Sequence, residues 1–106
     1  MKKHLLAAAI TVLAASSAFA QANDTLAKIK SSGTITLGVR ESSGLSYTLG
    51  NGKYVGFHTE MAEHIISDLQ KQLGLAKLET KYQPVTSQNR IPLVTNGTVD
   101  LECGST

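Results

Sequence analysis

The sequence holds a single cysteine, Cys103, among its 106 residues, and one thiol closes no disulfide within the chain. Cys103 is therefore either a buried free thiol or one half of a pair whose other half lies elsewhere. Long apolar runs are missing too. The longest, Leu5–Ala15, falls well short of the roughly 20 residues that a membrane-spanning helix needs. No His-Glu-x-x-His spacing exists; His58 and His64 stand six residues apart and Glu60 between them completes no ligand set, so no metal site is expected. Gly50-Asn51-Gly52-Lys53 lacks the Walker spacing and the following Ser or Thr, which leaves it as a hairpin tip and not a phosphate loop. Asp100 and Glu102 share one strand face with no partner carboxylate, a poor basis for acid–base catalysis. Internal repeats are absent.

The first twenty residues have the three-part layout of a secretory signal peptide: Lys2 and Lys3 as a basic head, the apolar run, and Ala18-Phe19-Ala20 as a small-x-small cleavage site. Gln21 stands where a lipoprotein would need its cysteine. The whole chain carries ten Lys and Arg against eight Asp and Glu. With Lys2 and Lys3 in the leader, the remaining residues 21–106 balance their charges. No basic footprint for nucleic acid is left. Composition, 42% hydrophobic and 17% charged, is that of a folded domain.

Residues 21–30 predict a short leading helix closed by Ser31-Ser32-Gly33. Thr34–Val39 alternates apolar and small polar residues with no charge on either face, the pattern of a central strand. Asn51-Gly52 between Tyr47-Thr48-Leu49 and Lys53-Tyr54-Val55 predicts a hairpin ended by Gly56. Phe57, Met61, Ile65, Leu69 and Leu73, widened by Ala62 and Ile66, predict an amphipathic helix capped by Gly74. Leu78–Gln83 alternates with one charged face, as an edge strand does, and Pro84 stops it. Asn89 is the expected N-cap of a short helix with Pro92 in its first turn and Asn96-Gly97 at its end. Thr98–Cys103 predicts a third strand with Val99, Leu101 and Cys103 on one face. The order gives an α/β fold with right-handed crossovers and a parallel sheet whose first strand lies between the other two.

Ligands of open parallel sheets bind beyond the carboxyl ends of the strands. Those ends are occupied here by Arg40, by Thr86, Ser87 and Arg90, and by Gly104, Ser105 and Thr106. Two guanidiniums and several hydroxyls beside a helix start make an anion site, and the planar fork of Arg suits a carboxylate better than Lys does. Taken singly, each Arg is better read as a solvated surface charge or the partner of an acid, as Glu41 is for Arg40; their joint placement at strand ends favours the anion site.

Gly38-Val39-Arg40-Glu41-Ser42-Ser43, Thr86-Ser87-Gln88-Asn89-Arg90-Ile91-Pro92-Leu93 and Leu101-Glu102-Cys103-Gly104-Ser105-Thr106 together resemble the periplasmic glutamate/aspartate-binding proteins of ABC transporters, within the extracellular solute-binding family 3. That resemblance implies a type II periplasmic-binding-protein-like fold, with residues 21–106 forming the N-terminal part of its first lobe and the second lobe absent. It implies that Arg40, Ser87 and Arg90 hold a side-chain carboxylate, and that Ser105, with the backbone of Gly104 to Thr106, helps hold the α-amino and α-carboxylate groups. It further implies a periplasmic, monomeric protein that serves membrane permease subunits, with no cofactor and no catalysis. Two other classes remain as alternatives: an exported dehydratase-like enzyme on the same fold, which needs a cleft acid such as Glu41 or Glu102, and the sensing domain of a receptor. The family commonly has a Pro-aromatic pair where Gly44-Leu45-Ser46-Tyr47 stands, which makes Tyr47 the expected ring over the ligand. The family's acids after Gly-Phe are His58 and Thr59 here.

A partial lobe with an unfinished sheet buries too little surface for robust stability. Residues 21–106 alone are expected to fold marginally and bind little glutamate. A cooperative thermal transition whose midpoint rises on adding glutamate would contradict this.

Overall fold

The computed structural model describes residues 24–41 and 44–105; the expected signal peptide, Ser42, Ser43 and Thr106 lie outside them. Eight elements follow in chain order: α1 (Asp24–Ser32), β1 (Thr34–Val39), β2 (Tyr47–Thr48), β3 (Tyr54–Val55), α2 (Phe57–Gln72), β4 (Glu79–Pro84), α3 (Arg90–Thr95) and β5 (Leu101–Glu102). The three-stranded sheet has the order β4-β1-β5 and is parallel throughout, with Val39 opposite Pro84 and Gly38 opposite Glu102. The uncharged strand is thus the central one, and the strand with a charged face lies on an edge.

Ile35, Leu37 and Val39 of β1 enter the core with Ile29 of α1 and Ala62 and Ile66 of α2. On α2 the buried row is not the one the four-residue spacing suggested. Thr59, Ala62 and Ile66 are buried and Leu69 and Leu73 pack beside them, whereas Phe57, Met61 and Ile65 are exposed. A constant step of four residues drifts about 40° around a helix of 3.6 residues per turn. Only the far end of that row therefore meets the sheet, while steps of three and four alternating stay on it.

The termini of α2 show why each junction forms. Gly56 has φ 119°, a conformation closed to side chains, and a Cβ there would stand 2.6 Å from the Leu45 carbonyl oxygen. That close approach lets the same carbonyl accept the His58 N–H at 2.8 Å in place of a side-chain cap. Buried Ser46 and Thr59 place their hydroxyls 3.3 Å apart, so Thr59 ties the loop to the helix. At the other end the Gly74 N–H reaches the Lys71 carbonyl and the Leu75 N–H the Gln70 carbonyl, the Schellman arrangement expected of Gly74.

The hairpin pairs Tyr47 with Val55 and Thr48 with Tyr54. Its tip, residues 50–52, has Gly at both ends with positive φ and Asn51 Oδ1 accepting the Lys53 N–H, a longer turn than a two-residue Asn-Gly loop.

β5 is shorter than expected because Asp100 replaces part of its ladder. The Asp100 N–H donates to the Thr36 carbonyl, and its Oδ2 accepts the Thr36 N–H at 2.9 Å. Its other oxygen meets Lys28 Nζ at 2.7 Å, and that ammonium also donates to the Gly97 carbonyl. The Asp100 side chain is 4% exposed. One carboxylate thus links α1, β1 and the start of β5.

Gly56→Ala is expected to destabilise the protein by about 2 kcal/mol or more, from the forbidden φ and the backbone collision together. Urea denaturation against the parent measures it, and an unchanged midpoint would show that the junction relaxes freely.

Candidate functional site

The carboxyl ends of β1, β4 and β5 open on one rim of the sheet. Arg40 follows β1 directly and donates from Nη1 to the Ser105 carbonyl oxygen at 2.5 Å. Arg90, the first residue of α3, donates from its own Nη1 to the same oxygen at 3.1 Å and lies 3.5 Å from the Gly104 carbonyl. Two guanidiniums fifty residues apart in sequence therefore meet within reach of one carboxylate. Like charges held so close repel, and the array of carbonyl oxygens between them offsets part of that cost.

The turn that delivers Arg90 is set by Thr86. Its Oγ1 accepts the Asn89 N–H at 3.2 Å while Asn89 Oδ1 accepts the Thr86 N–H at 2.7 Å, and the Arg90 N–H reaches the Thr86 carbonyl. This reciprocal pair is a capping box. Asn89 already has helical φ and ψ and makes no side-chain cap of its own. Thr86 is thus the capping residue, and Asn89, expected in that role, is its partner three residues on. The Thr-x-x-Asn spacing was visible in the sequence as the signal for it.

A cleft of about 510 Å³ opens beside Arg40, lined also by Glu41, Tyr54, Thr86, Ser87 and Gln88. Ser87 is exposed on its wall. Arg90 does not line this cleft. It borders a second hollow of about 470 Å³ with Ile91, Asp100 and Glu102, and touches the cleft region through the shared Ser105 carbonyl. Gly104 and Ser105 are exposed at the rim. Tyr47, the ring expected over a ligand, is 44% exposed on the hairpin and lines neither space. Tyr54 takes the place on the cleft wall, its ring 5.4 Å from that of Tyr82. The antiparallel register decides this: Tyr54 faces β4 because Thr48, not Leu49, is its partner. The phenol of Tyr82 titrates above its ordinary range, through burial first and the Glu63 charge second.

The acids resolve differently from one another. Glu102 Oε2 stands 3.5 Å from Arg90 Nη1, with side chains 11% and 13% exposed, so the acid in reserve for an enzyme mechanism is committed to a guanidinium. Arg40 pairs with no carboxylate among the described residues. Glu41 is exposed. Cys103 is half-buried and has no disulfide partner among the described residues, and burial and, next, the Glu102 charge push the pKa of its thiol up. Such an environment suppresses the thiolate that a nucleophile requires. No cluster of three His, Cys, Asp or Glu that could hold a metal occurs among the described residues, and none of the helices there is long and apolar enough to cross a membrane.

A parallel sheet here gathers two arginines, serine hydroxyls and an open cleft at its carboxyl rim, the kind of donor set that suits a small anionic group. The chain belongs to the bacterial extracellular solute-binding proteins, family 3, whose pattern matches residues 35–106. It is 50% identical over 84 residues to the L-glutamate/L-aspartate-binding protein of Pseudomonas aeruginosa, covering 77% of this chain and 28% of that one. To the glutamate/aspartate import solute-binding protein of Escherichia coli it is 45% identical over 108 residues, covering 94% of this chain and 36% of the relative. The chain thus spans about a third of the length of these relatives. Among solved structures, an ancestral cationic amino acid solute-binding protein matches with a TM-score of 0.63 at 24% identity, over 77% of this chain and 33% of that one, a likeness of fold.

With its pKa raised, Cys103 is expected to react with iodoacetamide at pH 8 several-fold more slowly in the native protein than after urea unfolding, roughly as the thiolate fraction falls. The gap should close as pH rises above the ordinary thiol range. Equal rates at pH 8 would show an unperturbed thiol.

Proposed function

We propose that this chain is the N-terminal part of the first lobe of a periplasmic protein that binds glutamate or aspartate and delivers it to the permease of an ABC transporter. The observation that carries the reading is the meeting of Arg40 and Arg90 on the Ser105 carbonyl oxygen. Both relatives described above bear glutamate/aspartate in their names, which supports the same ligand class.

Arg40, Ser87 and Arg90 take the ligand's side-chain carboxylate, and Ser105, with the backbone of Gly104 to Thr106, takes part of its α-amino and α-carboxylate groups. The two guanidiniums direct donors at the neutral carbonyls of Gly104 and Ser105. A carboxylate offers the same donors a charged, bidentate acceptor, and charge-assisted bonds of this kind are about twice as strong. Glutamine offers only a neutral amide oxygen and leaves excess positive charge unpaired, at a cost on the order of 2–5 kcal/mol. Tyr54 on the cleft wall supplies an apolar face against the ligand's methylenes.

No bond is made or broken in this cycle. The protein is a carrier and not an enzyme: a second lobe closes on the first about a hinge, removing the carboxylate from water, and reopens at the permease. It works as a monomer, exported by the signal peptide of residues 1–20. Of the two acids that an enzyme on this fold could use, Glu102 is paired with Arg90 and Glu41 is exposed on the cleft wall, so the carrier reading is supported by the family and by the names of the relatives and not by a lack of acids.

Calorimetry on the full-length mature protein with glutamate, aspartate and glutamine tests the reading. Arg90→Ala is expected to weaken glutamate by about thirtyfold or more while changing glutamine far less, the span that a lost charge pair predicts. Tight glutamine binding by the parent, or equal losses for both ligands in the variant, would refute it.

A further inference from the structure

Glu102 is an acid placed inside a site built to attract acids, and its surroundings are shaped to keep it there. Its partner across the β1–β5 ladder is Gly38. A Cβ at Gly38 would come within 3.2 Å of Glu102 Cγ, and a Cβ at Gly104 would run into Glu102 Oε1. A Cβ at Gly38 would collide first with Val99, at 2.9 Å, so Gly104 is the glycine that chiefly leaves open the channel through which this carboxylate reaches Arg90. The ion pair at 3.5 Å is almost fully buried, and Glu102 Oε1 is buried with no hydrogen-bond donor of its own. An oxygen kept without a donor contributes little as a hydrogen-bond acceptor and much as charge. A neutral side chain of the same length would fill the channel without the desolvation cost.

Arg40, by contrast, has no carboxylate partner among the described residues. Arg40, Arg90 and Glu102 together therefore carry two positive charges and one negative, and Glu41, the other acid on the cleft wall, is exposed to water that screens it. We propose that Glu102 is an internal counter-ion that sets the guanidinium pair to a single net positive charge, so that the cleft accepts one carboxylate and rejects dianions such as sulfate and hydrogen phosphate. A monoanionic carboxylate neutralises that charge. A dianion enters with one charge too many, an excess that water screens poorly once the proposed second lobe closes over the cleft. Removing Glu102 would leave two charges, the right number for sulfate. This inference rests on the proposed role of Arg40 and Arg90 as anion ligands, and adds which anions they refuse.

The test is direct titration of the full-length protein with sodium sulfate and, separately, with glutamate at constant ionic strength balanced by chloride. The parent is expected to bind sulfate weakly, and Glu102→Gln to bind it at least about tenfold more tightly, as one removed counter-charge in a buried cluster predicts. Glu102→Asp, which retains the charge, should resemble the parent. A merely structural Glu102 would lower affinity for both anions and produce no gain for sulfate. The proposal is overturned if Glu102→Gln gains no sulfate binding, or if Glu102→Asp gains as much as Glu102→Gln. Should the Gln variant fail to fold, tight sulfate binding by the parent would overturn it, and weak binding by the parent beside rejection retained in Glu102→Asp would support it. Because sulfate and glutamate are titrated separately, a parent that ignores glutamate refutes the amino-acid reading without deciding the sulfate result.

Discussion

Two guanidinium groups share one carbonyl oxygen at the end of a parallel sheet, and their mutual repulsion is the constraint around which this rim is organised. Such a pair persists only where oxygen atoms surround it and a counter-charge stands close. The structure supplies both: the carbonyls of Gly104 and Ser105, and the carboxylate of Glu102.

Holding that pair in place falls to the backbone beneath it. β1 is central and buried, so the position of Arg40 follows from where β1 ends, and β1 is flanked by ladders on both sides. Arg90 depends on the Thr86–Asn89 capping box, which orients the first turn of α3 against the rim. Glu102 depends on β5, whose start is secured by the Lys28–Asp100 pair and the Thr36 N–H. The two neighbouring acids thus divide their work: Asp100, just before β5, ties the strand to Lys28 and to the Thr36 N–H, and Glu102, within it, pairs with Arg90. In sequence they were indistinguishable, two carboxylates spaced as i and i+2 on one face.

Much of the architecture was legible because it is written in local chemistry. An uncharged β-branched run makes a central strand, Gly74 makes a Schellman end, and a Pro-terminated strand with one charged face makes an edge. Errors arose where a distant surface chose between equivalent local options. The α2 row of Phe57, Met61 and Ile65 is as apolar as the row that is buried, and only the position of the sheet selects between them. Asn89 and Thr86 are both good caps, and the hydrogen-bond geometry gives the cap to Thr86. Tyr47 and Tyr54 both flank the hairpin, and strand register turns Tyr54 toward the cleft.

By itself the sequence determined the strand and helix order, the parallel sheet with β1 in its middle, and the identity of the residues standing at each strand's carboxyl end. These rest on periodicity, capping chemistry and the right-handed crossover, all of which act over a few residues or through chain connectivity. Only the tertiary structure decided that Arg40 and Arg90 meet on one oxygen, that Arg90 is already paired with Glu102, and that Tyr54 and not Tyr47 walls the cleft. Contacts of that kind depend on the register between strands and on the space that Gly38 and Gly104 leave open, quantities set by packing of segments far apart along the chain.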